Sequence, residues 1–331
     1  MNALYSFFAV LLLGLIAYFG VAVWGLQPAF GIFVPYAAFA IFGIGIVYRV
    51  LKWARAPAPF AIATTCGQQK SLPWVKNSYF ENPHSTLGVV GRMAMEVLLF
   101  RSLFRNTKVE LRNSPARIIY GGNKYLWLGA IAFHYSFLII LLRHFRFFSE
   151  PVPSFVLLLQ SLDGFFQVGV PGLYLTSLIL LAAVGFLLLR RFLDAKVRYI
   201  SLAADYFPLI LILGIALSGV IMRHFTKVDI VAIKELALGL VSLHPTVPEG
   251  IGAPFYIHLF FVSTLAAYFP FSKLMHLGGI FLSPTRNLRA DSRRARHVNP
   301  WNPHVEVHTY QEWEDEFRDK MKAAGLPVER E

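Results

Sequence analysis

Four histidines lie in two apolar segments of the sequence, two in each segment. His134 and His144 are ten residues apart, and His258 and His276 are eighteen residues apart. An imidazole in a membrane segment is rare without a functional reason, and it is a common axial ligand of haem iron. Two helices with two histidines each can hold two stacked metal centres. The pattern predicts two haem groups, one near each membrane face.

The hydropathy of the chain indicates a membrane protein. Its mean hydropathy is +0.54 and 15% of its 331 residues are charged, compared with about 25% in soluble domains. Apolar residues form six blocks of roughly twenty, enough to cross about 30 Å of hydrocarbon. We predict an all-α polytopic membrane protein, with a five-helix di-haem cytochrome b core and one additional N-terminal helix. The six predicted spans are Ala3–Trp24, Phe30–Val50, Tyr125–Phe148, Val168–Leu189, Leu202–Met222 and Phe255–Leu277.

The formal net charge of +12 follows a membrane topology rather than a nucleic-acid-binding surface. If both termini are inside, 26 of the 31 Lys and Arg residues lie on the inner side and five on the outer side. This asymmetry is what the positive-inside rule describes. We predict a multi-pass protein of a bacterial or archaeal inner (cytoplasmic) membrane, with both termini cytoplasmic, lipid around it and no nucleic acid partner.

The chain divides into four predicted regions. Residues 1–29 form the additional N-terminal helix, and residues 30–124 form the second span with a long cytoplasmic loop. Residues 125–280 form the di-haem core. Residues 281–331 form a cytoplasmic tail that is long enough to dock a partner.

Several shorter helices are predicted outside the spans. In the long loop, Thr86–Phe104 is predicted to lie at the interface as an amphipathic helix, and a seventh span through Arg92 and Glu96 is the alternative. Two short helices are predicted to cap the outer face, and an acidic helix to end the tail. Their ranges are Pro153–Val168, Ile230–Leu243 and Thr309–Ala323.

The direction of the spans predicts which histidines meet. Span three runs outward and span six runs inward, so equal depths pair His144 with His258 outside and His134 with His276 inside. We call these the outer pair and the inner pair. Eighteen residues make about five helical turns, so His258 and His276 are expected on one face of one continuous helix. A single membrane histidine is more simply explained by a hydrogen bond to a neighbouring helix. Four at matching depths favour bis-histidine ligation of two non-covalent haem b groups.

Other polar residues at the depth of the outer pair have less specific assignments. His224 could replace His144 as the outer ligand, or lie near a quinone or a propionate. Guanidinium groups there suit haem propionates, because they donate paired hydrogen bonds to carboxylates, and they suit lipid phosphates as well. The arginines concerned are Arg143, Arg146 and Arg223. Gln160, Asp163 and Gln167 are also at the depth predicted for a quinone near this pair.

The single cysteine limits the redox chemistry of this chain. Cys66 alone cannot hold an iron–sulfur cluster, which needs about four thiolates, and it cannot form an internal disulfide. The sequence also has no Cys-x-x-Cys-His site for covalent haem attachment. An electron that leaves the inner haem for a cluster must therefore reach another subunit.

The last predicted span carries a specific motif. His258 is followed by seventeen residues and then by His276, which closes the run Phe269–Leu274 with the sequence Phe-Pro-Phe-Ser-Lys-Leu. This motif and the ten-residue histidine spacing resemble the respiratory nitrate reductase gamma subunit family over roughly residues 30–50 and 120–280. The loop around Thr64–Trp74 and the long tail resemble the DsrM-type di-haem subunits of the membrane complex associated with dissimilatory sulfite reductase.

The resemblance implies an electron-transfer subunit that is catalytic only within a complex. In such proteins a quinol, for example menaquinol, reacts near the outer haem, and electrons pass through both haems to a cytoplasmic iron–sulfur subunit. For the DsrM-type proteins that partner is similar to a heterodisulfide reductase catalytic subunit, and other subunits complete the complex. Dissimilatory sulfur metabolism would be the setting.

Other functions remain as alternatives. Within the same class they are the gamma subunit of a respiratory nitrate reductase and the membrane subunit of a heterodisulfide reductase. A proton-coupled transporter would be expected to show intramembrane acidic residues and an inverted repeat, and neither is evident in the sequence. A passive membrane anchor would leave four depth-matched histidines unexplained.

Overall fold

A computed structural model describes most of the chain. It describes residues 1–58, 61–62, 67–113, 116–164, 174–294, 304 and 306–330. Cys66, Gln167 and the predicted start of span four at Val168 lie outside these residues.

Among the residues that the structure describes, six helical segments are long and apolar enough to cross a membrane, which confirms the predicted number of spans and the all-α class. The segments are Asn2–Ala22, Ala29–Ala54, Lys124–Phe147, Leu175–Leu193, Ala203–Thr226 and Ala253–Phe271. Their α-helical parts are α1 (Asn2–Ala22), α2 (Val34–Ala54), α5 (Lys124–His144), α7 (Leu175–Leu193), α9 (Ala203–Ile221) and α11 (Ala253–Tyr268). The remaining helices are α3 (Thr86–Leu99), α4 (Arg101–Phe104), α6 (Ser154–Asp163), α8 (Ala195–Ile200), α10 (Ile230–Val241), α12 (His276–Leu282) and α13 (Tyr310–Ala323).

The spans pack as a bundle around α11. Helix α11 packs against α1, α2 and α9, and α7 packs against both α9 and α5. Buried side chains join these helices: Tyr256 of α11 and Ala17 of α1 belong to one core cluster, and Leu211 of α9 and Phe261 of α11 belong to another. Many large apolar side chains on the outside of the bundle are exposed, as expected where lipid replaces water as the solvent.

Short helices cover the end of the bundle farther from the termini, as predicted. Helix α6 corresponds to the predicted helix from Pro153, and α10 to the predicted helix from Ile230. Asp229 begins α10, because its carboxylate accepts hydrogen bonds from the backbone N–H groups of Val231 and Ala232.

The predicted amphipathic helix of the long loop is present, but it is broken at Phe100. Helix α3 spans 14 residues, too few for a membrane crossing of about 20 residues, so the alternative of a seventh span is wrong. Phe100 ends α3 in the left-handed region, with φ 49°, and α4 follows directly. A two-stranded antiparallel hairpin, β1 (Thr107–Asn113) and β2 (Ala116–Gly122), comes next and was not predicted.

Buried charges hold the loop together. Glu81 accepts hydrogen bonds from Arg101, at 2.5 Å, and from Arg105. Glu96 accepts one from the backbone N–H of Ser102, at 3.1 Å. Arg92 is only 4% exposed. Burial lowers the pKa of its guanidinium, and the charge of Arg286 acts in the same direction, whereas Glu96 and Glu81 raise it.

The first part of the tail is folded onto this loop. The backbone N–H of Ala290 donates to the carbonyl of Pro83 at 2.7 Å, and Gln69 Nε2 donates to Ser292 Oγ at 3.0 Å. Arg286 Nε lies 3.7 Å from a carboxylate oxygen of Glu96. Residues 67–105 and 283–292 therefore form one unit, which we call the loop–tail unit.

The last span is not one continuous helix, so the prediction that His258 and His276 share a face of a single helix is wrong. Helix α11 ends at Tyr268, and two short 3₁₀ turns follow, Phe269–Phe271 and Lys273–Met275. Pro270 is part of the cause, because it cannot donate a helical hydrogen bond and its ring displaces the preceding turn. His276 consequently begins a separate helix, α12.

A glycine on α2 allows this broken segment to pack closely. A Cβ atom on Gly45 would lie 2.6 Å from Pro270 Cβ, whereas a Cβ on Gly43 would meet nothing within 4 Å. Gly45→Ala should therefore lower the stability of the purified protein by about 1–3 kcal/mol through overpacking. Gly43→Ala is the matched control, and its greater helix propensity should leave stability unchanged or raise it. Thermal unfolding in detergent measures both, and equal behaviour of the two variants would contradict the packing.

Candidate functional site at two histidine pairs

The structure brings together the two predicted pairs of histidines. The ring centroids of His144 and His258 are 6.4 Å apart, and their planes differ by 11°. The ring centroids of His134 and His276 are 5.8 Å apart, and their planes differ by 87°. Each pair joins a residue of α5 to one carried by α11 or α12, in the combination predicted from depth.

These separations fit one metal ion between each pair of rings. An imidazole nitrogen lies about 2 Å from the metal it ligates, so nitrogens on opposite sides of a metal are about 4 Å apart. The ring centroid lies roughly 1 Å behind the ligating nitrogen, which places two such centroids about 6 Å apart. The observed values of 5.8 and 6.4 Å lie on either side of this distance.

The hydrogen bonds of all four rings use the same nitrogen, Nδ1. The acceptors of three rings are backbone carbonyls: Ala130 for His134 and Ile140 for His144, both at 2.7 Å, and Lys273 for His276, at 2.9 Å.

A carbonyl can only accept a hydrogen bond, so these three Nδ1 atoms carry the proton. Nε2 is then the nitrogen with a free lone pair. Fixing the tautomer through the second ring nitrogen is characteristic of ligating histidines.

Ser218 is the hydrogen-bond partner of the fourth ring, that of His258. His258 Nδ1 lies 2.9 Å from Ser218 Oγ, and that hydroxyl also lies 3.0 Å from the carbonyl of Ile215. If the hydroxyl donates to the carbonyl, it accepts from Nδ1 and leaves Nε2 of His258 unprotonated. Gly219 of the same helix adjoins this ring, because a Cβ there would lie 3.5 Å from Cε1 of His258. The sequence reasoning did not identify Ser218, and a serine in an apolar span was the available signal.

The packing between α5 and α11, which carry three of the four histidines, is loose. These two helices are not among the closely packed helix pairs of the described residues. Within α5, only Ser136 is buried. The rings of His144 and His276 are exposed, although both lie within the apolar bundle or at its end. A flat group that spans the gap would cover surface on α5 that no described helix covers.

Aromatic side chains and the long loop enclose the inner pair. The rings of Phe100 and Phe133 lie 5.0 and 4.9 Å from that of His134, both edge to face. Trp127 and Tyr135 of α5 donate hydrogen bonds to the carbonyls of Leu99 and Leu98, at 2.7 and 2.8 Å. The segment around the helix break at Phe100 is therefore attached to α5 beside the inner pair.

A buried ion pair lies beside the outer pair. Arg143 donates to Asp163, which is 6% exposed. Asp163 also accepts from Thr176, at 2.9 Å from the backbone N–H and 2.6 Å from the hydroxyl. The guanidinium carbons of Arg143 and Arg223 lie 3.4 and 4.2 Å from the ring centroid of Tyr174. The sequence reasoning missed Tyr174 and named Asp163 only as a polar residue at this depth.

The remaining predicted site residues lie at the same end of the bundle. Arg146 donates a hydrogen bond to Gln160 Oε1 at 3.0 Å. His224 lies in the π-helical turn Met222–Thr226 that follows α9, and the ring that faces His144 is that of His258. The outer end thus gathers three arginines with different partners: Arg143 pairs with Asp163, Arg146 with Gln160, and Arg223 lies over the ring of Tyr174.

Comparisons with known proteins show the family of this chain. Residues 88–294 match the family model of the nitrate reductase gamma subunit. The chain is 46% identical over 281 residues to the Hdr-like menaquinol oxidoreductase cytochrome b-like subunit of Archaeoglobus fulgidus, with 83% of each chain covered. It is 44% identical over 280 residues to the protein of the same description from Archaeoglobus profundus, with 82% of each chain covered.

Loss of the buried carboxylate beside the outer histidines should be strongly destabilising. Asp163→Ala leaves Arg143 buried without its carboxylate, which should cost about 3–5 kcal/mol. Glu150→Ala is a suitable comparison, because Glu150 also pairs with a cation, Lys234, but its side chain is 64% exposed. That change should cost at most about 1 kcal/mol. Thermal unfolding in detergent gives both values, and equal losses would contradict the role of burial.

Proposed function

Because the chain belongs to the nitrate reductase gamma subunit family, we propose that it is the membrane cytochrome b subunit of a menaquinol-oxidising complex. The observation that carries this proposal is the geometry of the outer and inner pairs, because the ring separation in each fits one iron. The two Archaeoglobus relatives are described as subunits of a menaquinol oxidoreductase, which supports menaquinol as the quinol.

The four histidines are proposed to ligate two non-covalent haem b groups. His144 and His258 hold the outer group, and His134 and His276 the inner one. A haem held by two histidines would supply a one-electron carrier at each pair. The protein fixes each imidazole through its Nδ1 hydrogen bond and keeps water out with the apolar helices around it.

The quinol site is proposed at the outer pair. A quinone partitions into the bilayer and needs hydrogen-bond donors for its carbonyl oxygens. Arg146 and His224 lie at this end, and Arg143 and Arg223 flank Tyr174 nearby. Arg143 is paired with the buried carboxylate of Asp163, and guanidinium groups at this end also suit haem propionates, because they donate paired hydrogen bonds to carboxylates.

The inner pair is proposed to pass electrons to an iron–sulfur subunit in the cytoplasm. The positive-inside asymmetry places the loop–tail unit and both termini on the cytoplasmic side of a bacterial or archaeal membrane. That unit adjoins the inner pair through Phe100, so it lies where a partner would have to dock. The sequence resemblance supports a partner similar to a heterodisulfide reductase catalytic subunit, other subunits around it, and dissimilatory sulfur metabolism as the setting.

Substitution of single ligands tests the haem assignment. His134→Ala or His276→Ala should leave one haem per chain by removing the inner group, and His258→Ala or His144→Ala should remove the outer one. His224→Ala is the control and should retain both. Haem content by the pyridine haemochrome assay and the reduced-minus-oxidised optical spectrum provide the measurements.

Two results would change this assignment. Full haem content after His134→Ala, His276→Ala or His258→Ala would contradict the proposed ligation. If His144→Ala retains both haems and His224→Ala loses the outer one, the two residues exchange roles. A protein purified without any haem would reject the proposed function as a whole.

The far part of the tail is proposed to dock the iron–sulfur partner. A truncation at Ser283 would also remove the contacts of Arg286 and Ala290 with the loop, so a deletion of residues 295–331 is the cleaner test. In the full complex this deletion should retain both haems and release the iron–sulfur subunit during purification. Trp74→Ala tests the loop separately. Trp74 is 77% exposed, so its removal should affect contact with a partner more than the folding of the loop.

The outcome distinguishes two docking surfaces. If the deletion variant still co-purifies with the partner in normal stoichiometry and reduces it at the normal rate, the tail is not the dock. Loss of the partner from Trp74→Ala alone would assign the contact to the loop–tail unit.

A further inference from the structure

Arg49 of α2 is half-buried, and one of its donor nitrogens, Nε, has no acceptor among the described residues. Arg49 lies in the last part of α2, and its guanidinium carbon is 5.7 Å from the ring centroid of Trp53. Its Nε is buried without a hydrogen-bond partner among the described residues. A buried cationic donor without an acceptor is costly, so the protein is expected to supply an anion there when it is complete.

The position of Arg49 on α2 indicates what it faces. Gly45, Arg49 and Trp53 are four residues apart, and this spacing places them on one side of the helix. Gly45 packs against Pro270, and the Trp53 ring lies 3.4 Å from the position of a Cβ on Gly279. The side of α2 that carries Arg49 therefore packs against the chain on both sides of His276.

Two other arginines at this end have carboxylate partners within the chain. Arg101 pairs with Glu81, and Arg286 lies 3.7 Å from Glu96. Lys52 and Arg55, next to Arg49 in sequence, are exposed and free to reach lipid phosphates. Arg49 differs from all of these, because its Nε is closed to solvent and its helix is held against the segment of His276.

We propose that Arg49 binds a propionate carboxylate of the haem held by the inner pair. The inference rests on the proposed function and extends it to a residue outside the histidine pairs and the outer arginines. A guanidinium matches a carboxylate with two parallel hydrogen bonds. The α2 helix, which belongs to the N-terminal part of the chain before the matched family region, thereby contributes directly to the inner site.

The charge of Arg49 has an electrochemical consequence. A fixed positive charge near a haem favours the reduced state, whose iron carries one positive charge fewer. Removal of this charge should lower the midpoint potential of the inner haem and leave that of the outer haem, at the far end of α5, unchanged.

The test compares Arg49→Ala with Lys52→Ala by potentiometric optical titration of the purified complex. Both variants remove one positive charge from the same helix, but Lys52 is exposed. Arg49→Ala should lower the midpoint of the component that His276→Ala removes, whereas Lys52→Ala should leave both components as in the wild type. Arg49→Lys keeps the charge without the paired donors and should lie between wild type and Arg49→Ala.

A second comparison separates haem binding from a purely structural role. If Arg49 acts through the inner haem, adding Arg49→Ala to His276→Ala should not lower the thermal stability further. An additional loss of stability in that background would assign Arg49 a structural role and overturn the inference.

The remaining outcomes are equally distinct. If Arg49→Ala has wild-type midpoint potentials and full haem content, the inference is also overturned. Equal shifts of the midpoint potential in Arg49→Ala and Lys52→Ala would overturn it too, and would indicate that Arg49 contacts a lipid phosphate. Absence of haem from the wild-type protein would instead reject the proposed function.

Discussion

An imidazole inside a hydrocarbon layer needs a partner for each of its two nitrogens, and the arrangement of this protein follows from that requirement. In all four rings one of the two nitrogens, Nδ1, has a carbonyl or hydroxyl partner within the chain at hydrogen-bond distance. The second partner is needed at Nε2, and the ring of the other histidine of the pair lies 5.8 or 6.4 Å away, centroid to centroid. A metal between the rings satisfies both Nε2 atoms of a pair at once, which a simple interhelical hydrogen bond would not do.

The rest of the bundle is consistent with this constraint. Helix α5 carries one histidine of each pair and buries little of its own surface, while α11 packs against α1, α2 and α9. The packed helix is thus the rigid support, and α5 is the helix with room beside it. Buried charges stabilise both ends, through Arg143 and Asp163 near the outer pair and through Glu81 and Glu96 near the inner pair. These ionic groups hold the segments that cover the two sites.

Much of this could be predicted from the sequence, because membrane spans and charge asymmetry are local signals of composition. The six spans, the short capping helices and the combination of histidines in each pair follow from block length and chain direction. The break after Tyr268 could not be derived from an eighteen-residue spacing, since Pro270 and the 3₁₀ turns change the helical phase. The loop–tail unit and the contact of Ser218 with His258 depend on residues far apart in sequence, and hydropathy carries no information about such pairs.

Electron paramagnetic resonance of the oxidised complex tests the central claim most directly, because it reports the axial ligands of ferric haem and their relative orientation. Near-parallel imidazole planes give a rhombic low-spin signal, and near-perpendicular planes give a strongly anisotropic one. With ring planes that differ by 11° in the outer pair and 87° in the inner pair, we predict one signal of each type in equal amounts. A high-spin signal from either haem, or methionine coordination in place of a second imidazole, would contradict two bis-histidine centres.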